Sequence, residues 1–152
     1  MAPGGAEGES TGASAVWPRL PAAWQWRVAV LLGGLLGAAV RVGLERGFTP
    51  PPDVWPWPTF AVNMAGAFML GLLLPRLAVL RGSASLLVPV VAVGLLGALT
   101  TFSLLIYEVW LLIEHDRPAL ATAYLVVTLG AGFVLALAGD RLASASGWRA
   151  GR

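Results

Sequence analysis

The chain has 152 residues, of which 57% are hydrophobic and only 12% charged, with a mean hydropathy of +0.76. Soluble domains carry about 25% charged residues, so this composition excludes an ordinary cytosolic enzyme, a coiled coil and a disordered chain, and leaves a polytopic membrane protein. Cysteine is absent, His115 is the one histidine, and the net charge of +2 comes from ten arginines scattered against eight acidic residues, which excludes a disulfide framework, a thiolate or multi-histidine metal centre and a nucleic-acid patch.

Residues 1–23 are rich in Gly, Ala, Ser and Pro and carry Glu7 and Glu9. Such a segment builds no core and is expected to be a disordered tail. It has no basic start followed by an apolar run, so it does not read as a secretory signal.

Four apolar stretches follow, over about 24–45, 57–77, 86–112 and 118–140. Asp53 and Arg76, Arg81 and Glu108, and Arg117 and Asp140 bracket the last three. Each is long enough for the roughly 20 apolar residues a helix needs to cross hydrocarbon. None shows the polar face of a soluble amphipathic helix. The expectation is one all-α transmembrane domain over 24–142 and a short C-terminal tail, 143–152. Pro50, Pro51, Pro52, Pro56 and Pro58 fill the first connection, and Trp24, Trp26, Trp55, Trp57 and Trp110 sit near span ends, where amphipathic rings favour the headgroup level. Four spans place both termini on one side. That side would hold Arg19, Arg27, Arg76, Arg81, Arg141, Arg149 and Arg152, against Arg46, Arg117 and at most Arg41 on the other. The positive-inside rule then puts both termini in the cytoplasm.

Within the spans, Gly33–Gly37, Ala67–Gly71, Gly94–Gly97 and Gly130–Gly132 read mainly as close helix packing. Arg41 lies about two turns inside the end of span one, where it either pairs with Glu45 one turn on or snorkels to the surface. Asn63 is a lone polar residue in span two, suited to an interhelical hydrogen bond or to a pore wall. Gly94-Leu-Leu-Gly97-Ala-Leu-Thr100-Thr101-Phe102-Ser103 falls in the middle of span three. Its density of Gly, Thr and Ser favours a broken helix, and freed backbone groups at that depth need protein, water or an ion as partner. Glu108 is a vestibule charge or an interfacial one. Tyr124 and Thr128, one turn apart, extend a polar track in span four or bond back to their own helix.

These residues resemble the CrcB/Fluc fluoride channels. The similarity rests on Gly33-Gly34-Leu-Leu-Gly37-Ala38-Ala-Val-Arg41, on Thr59-Phe-Ala-Val62-Asn63-Met-Ala-Gly66-Ala-Phe68-Met-Leu-Gly71, and on the Thr100-Thr101-Phe102-Ser103 segment followed by Glu108. It covers about residues 28–140. It implies an antiparallel dimer of four-helix subunits in the bacterial cell membrane, built with itself or with a paralogous subunit. Two fluoride pores would run at the interface, and a structural sodium ion, not transported, would be held by backbone carbonyls at Gly97 and Thr100. By the same resemblance Asn63, Phe102, Ser103 and Thr128 belong to the fluoride pore, and Arg41 and Glu108 are vestibule or structural charges. The pattern departs at Leu105, where the family has a second phenylalanine, and at Ile106, which replaces a small residue.

A proton-coupled small multidrug exporter also has four helices, but its chemistry needs a carboxylate central in the first span, and this span offers Arg41 instead. No base, nucleophile and metal set converges within the spans, so an enzyme is not expected.

Overall fold

The computed structural model describes residues 23–77, 80 and 86–145. The expected N-terminal tail, most of 78–85 and the end of the C-terminal tail lie outside the described residues. Arg19, Arg81, Arg149 and Arg152 fall there too. The described chain is all-helical, with four helices long and apolar enough to span a bilayer, as the sequence predicts. Helix α1 covers Ala23–Gly47, and α2 covers Trp57–Leu77. The third span has two parts. The first, α3, is a π-helix over Val88–Leu96 that runs into one α-helical turn, Gly97–Leu99. The second, α4, covers Phe102–Glu114. Helix α5 covers Pro118–Ala145, longer than hydropathy alone indicates, because Asp140 and Arg141 continue it.

Local chemistry sets the boundaries. Pro56 and Pro58 flank the start of α2, where a missing N–H costs nothing because the first turn has no helical acceptor. Between α4 and α5 the turn is three residues. Asp116 takes φ 59° and the Arg117 amide bonds back to the Leu112 carbonyl at 2.8 Å. Aspartate adopts that left-handed conformation more readily than most residues. Pro118 then opens α5.

The bundle is two tightly zipped helix pairs, α1 with α3 and α2 with α5, and α4 packs on α5. The zips are backbone to backbone. A Cβ at Gly94 would lie 2.6 Å from the Val30 carbonyl oxygen and 2.9 Å from Gly33 Cα. A Cβ at Gly139 would lie 2.7 Å from the Leu72 amide and 3.1 Å from the Gly71 carbonyl carbon. Small residues are what allows this approach, and in lipid it supplies much of the association energy. The α4–α5 contact is a core of Leu105, Leu112, Ala121 and Tyr124, joined by Trp55, Phe60 and Val109. Outward faces are apolar: Leu31, Leu32, Leu35 and Leu36 on α1 and Val126, Phe133 and Val134 on α5 are all exposed. In a bilayer these surfaces meet a matching solvent.

The two kinds of glycine separate in stability. Gly139→Ala forces two backbones apart and should cost about 1–3 kcal/mol. Gly130→Ala meets nothing within 4 Å and should be neutral or stabilising by up to about 1 kcal/mol, since alanine is the better helix former. Thermal unfolding of the two variants in detergent checks both signs.

Candidate functional site

The third span stops between Leu99 and Phe102. Thr100 is extended at φ −74°, ψ 148°, and Thr101 at φ −145°, ψ 117°. A continuous helix would aim the Thr101 amide at the Gly97 carbonyl and the Leu104 amide at the Thr100 carbonyl. Side chains capture both amides instead. Thr101 N–H donates to Asn63 Oδ1 at 2.9 Å, and Leu104 N–H donates to Thr101 Oγ1 at 3.1 Å. Asn63 Nδ2 returns a bond to the Thr101 carbonyl at 3.2 Å, so the α2 amide clamps the Thr101 backbone from both sides. Thr101 is at the same time the N-cap of α4, the role its residue type favours.

The carbonyls of Gly97 and Thr100 are thereby released from their helical donors. They sit at the C-terminal, negative end of α3. Neutral oxygens of this kind suit a hard monovalent cation, so the donor set fits the sodium site expected at Gly97 and Thr100. Of the two carbonyls between them, that of Ala98 accepts from Arg41 Nε at 3.1 Å. Arg41 also pairs with Glu45 at 2.9 Å, one of the two arrangements its position allows.

A polar seam continues along α2 and α4 toward the first connection. Thr59 Oγ1 donates to Glu108 Oε1 at 2.5 Å, and Tyr124 Oη donates to Glu108 Oε2 at 2.7 Å. Thr59 and Tyr124 are buried, so the Glu108 carboxylate is held from α2 and α5 together. Trp55 stacks edge-on against Tyr124 with ring centroids 5.2 Å apart and covers this end. Glu108 also borders a cleft of about 500 Å³, with Glu45, Tyr107, His115 and the prolines of the first connection on its walls.

An open groove of about 320 Å³ lies on the other side of the seam, lined by Asn63, Thr100, Thr101, Phe102, Thr128 and Phe133, among others. Phe102 is exposed there, whereas the Thr128 hydroxyl is buried and has no hydrogen-bond partner. Ser103 lies beside the break, its Oγ 3.3 Å from Thr101 Oγ1. Leu105, at the family's second phenylalanine position, is 2% exposed and packs into the α4–α5 core. Asn63, Thr100, Phe102 and Thr128 thus share one groove. Arg41 and Glu108 lie nearer the first connection, on either side of Thr59.

Sequence reasoning missed Thr59 as a ligand of Glu108 and Thr101 as a cap. Spacing carries the signal for both. Thr59 is four residues before Asn63, and Glu108 is seven after Thr101, so each pair lies on one helix face.

Fold and site together define a four-span membrane protein whose third span is opened by side-chain hydrogen bonds. The chain belongs to the family described as CrcB-like protein, Camphor Resistance (CrcB), whose model matches residues 28–140. It is similar to a protein named Fluoride-specific ion channel FluC 1 from Mycobacterium bovis, 43% identical over 70% of this chain and 80% of the relative. It is also similar to Fluoride-specific ion channel FluC of Xanthomonas axonopodis pv. citri, 37% identical over 80% of this chain and 92% of the relative. A third relative, FluC 2 of Nocardia farcinica, is 40% identical over 82% and 86%.

Tyr124→Phe removes one of the two donors to the Glu108 carboxylate. It should lower unfolding free energy by about 1–3 kcal/mol, the usual value of a hydrogen bond to a charged group. Thermal unfolding of Tyr124→Phe beside wild type measures it.

Proposed function

We propose that the chain is a subunit of a fluoride-selective channel that lets cytoplasmic fluoride leave the cell passively, and that it is not an enzyme. The observation that carries this is the opening of the third span at Thr100–Thr101 by Asn63, in a family whose relatives bear fluoride-channel names. Thr100 and Thr101 fall near the midpoint of Val88–Glu114, and we take the interruption to lie at mid-membrane. There its two ends offer opposite partial charges. The carbonyl end of α3 suits a cation, and the amide end of α4 suits an anion.

Fluoride is small and strongly hydrated, so a selective path must replace its water with donors. Asn63 Nδ2 has a second N–H beyond the one given to Thr101. The unpartnered Thr128 hydroxyl and the Ser103 hydroxyl add two more. The Phe102 ring edge carries partial positive charge and faces an anion without a fixed cation to trap it. Such binding is favourable yet weak enough for release, as conduction requires.

Two carbonyls from one chain do not surround a cation. A second subunit in antiparallel orientation would bring the carbonyls of its own break opposite Gly97 and Thr100, where sodium would hold the interface. Sodium supplies positive charge there and is not transported. The open groove carrying Asn63, Phe102 and Thr128 then closes against the partner rather than against lipid. The second subunit is a paralogue in this reading. In the sequence Arg19, Arg27, Arg76, Arg81, Arg141, Arg149 and Arg152 fall on the side of the termini, against Arg46, Arg117 and at most Arg41, and the bias favours one orientation, with termini in the cytoplasm. Leu105 is committed to its own core, so the second aromatic of each pore comes from the other chain.

Fluoride efflux from liposomes tests the function, with chloride as the comparison ion. Fluoride should leave and chloride should not; equal passage of both, or of neither, rejects the reading. Asn63→Ala and Phe102→Leu should each slow fluoride by at least roughly tenfold, equivalent to about 1.4 kcal/mol on the barrier. Reporter tags on the C-terminus test the partner: equal signal from both membrane sides, with full flux from this chain alone, would replace the paralogue by a homodimer.

A further inference from the structure

We infer that Gly66 of α2 is the positioning residue that sets the direction of the Thr100 carbonyl, and hence the affinity of the break for its cation. The inference rests on the channel reading above and adds to it a determinant outside the pore and outside the carbonyl pair.

Thr100 ends α3 with two donors on one acceptor. Its amide bonds the Leu96 carbonyl at 3.0 Å, and its hydroxyl bonds the same oxygen at 2.9 Å. A threonine is stiff about χ1. Once Oγ1 is committed to Leu96, the direction of the Cγ2 methyl is fixed as well. That methyl points across the helix interface into the space above Gly66. A Cβ built on Gly66 would overlap Thr100 Cγ2, and the next contact, Thr100 Cβ, is 3.7 Å away. Gly66 is buried and makes no other such approach. It is therefore a socket for one methyl group, unlike Gly139 or Gly94, which meet backbone.

The socket lies on the helix face that grips the next residue of the break. Asn63, three residues before Gly66, holds the Thr101 backbone by both its amide and its carbonyl. Successive residues of the interruption are thus registered on one strip of α2: Thr101 by hydrogen bonds, Thr100 by a methyl in a hole. The peptide between them carries the Thr100 carbonyl. With its two ends fixed, the carbonyl has one direction. A side chain at residue 66 would either rotate Thr100 off Leu96 or push α2 from the break, and in both cases the carbonyl turns.

Complementary substitutions test this. Gly66→Ala should slow fluoride flux in liposomes by roughly tenfold and raise the sodium concentration giving half-maximal flux by a similar factor. Thr100→Ser removes the obstructing methyl and keeps the hydroxyl. Gly66→Ala/Thr100→Ser should therefore return flux and sodium midpoint to within about threefold of Thr100→Ser alone, the coupling expected of groups in contact. Gly66→Ala/Thr100→Val keeps the methyl, loses the hydroxyl and should remain impaired. A merely structural role for Gly66 would reduce the active fraction without moving the sodium midpoint, and that result overturns the inference. So does a double variant with serine that conducts or assembles no better than Gly66→Ala. Thermal midpoints of the same four proteins in detergent form an independent cycle. If wild type carries no fluoride, the channel reading fails, and recovery of the Gly66→Ala midpoint by Thr100→Ser still decides whether residue 66 sets the position of Thr100.

Discussion

Backbone hydrogen bonding in hydrocarbon is the constraint on which this molecule turns. An amide or carbonyl without a partner there costs several kcal/mol, so a span cannot simply stop. The third span stops because two amides that belong to its helical ladder are bought out by side chains, that of Thr101 by Asn63 and that of Leu104 by the Thr101 hydroxyl. Each capture leaves a carbonyl behind. The interruption frees the amides of residues 101–104 and the carbonyls of residues 97–100 from one another; side chains answer the amides of Thr101 and Leu104 and the carbonyl of Ala98. Carbonyl oxygens freed in this way are ligands of the kind that suit a hard cation.

The rest of the bundle holds that opening at a fixed place. Gly94 and Gly139 let α1 meet α3 and α2 meet α5 at backbone distance. Helices this close have little freedom to slide. Asn63 on α2 is thereby delivered to Thr101, and Arg41 on α1 to the Ala98 carbonyl. Thr59 and Tyr124 fix Glu108 in the same way one helix turn and more beyond the break. The polar groups form a single seam from α1 through α2 and α4 to α5. Each helix contributes at least one group to it.

Much of this was legible in the sequence. Hydropathy marked the four spans, since no soluble helix carries so long an uncharged stretch. The Gly-Thr-Thr-Ser density marked where the third would weaken, and Asn63 stood out as a polar residue that needed a partner. Other features were hidden for physical reasons. The π-helix of Val88–Leu96 was not legible because hydropathy marks an apolar stretch without distinguishing one helical ladder from another. Spacing puts Thr59 on the Asn63 face of α2, but only the fold brings Glu108 within reach of it. Leu105 read as a missing aromatic, and only the α4–α5 contact reveals it as a core residue. The end of α5 was set short because Asp140 and Arg141 were taken as a boundary, whereas charges at the end of a span can extend a helix into the headgroup layer.

Arg41 joins these strands of argument. A charge two turns inside a span is expensive, and composition alone gave it no task beyond Glu45. The break supplies one. The Ala98 carbonyl loses its helical donor there, the amide of Phe102, now the first residue of α4. Arg41 Nε takes that carbonyl. Ala98 is thereby answered from within the chain. The guanidinium is also half-buried and tied to Glu45, so its charge is largely balanced. A permanently protonated side chain thus serves here as a backbone cap with its own counter-ion, and it answers one of the carbonyls that the break frees.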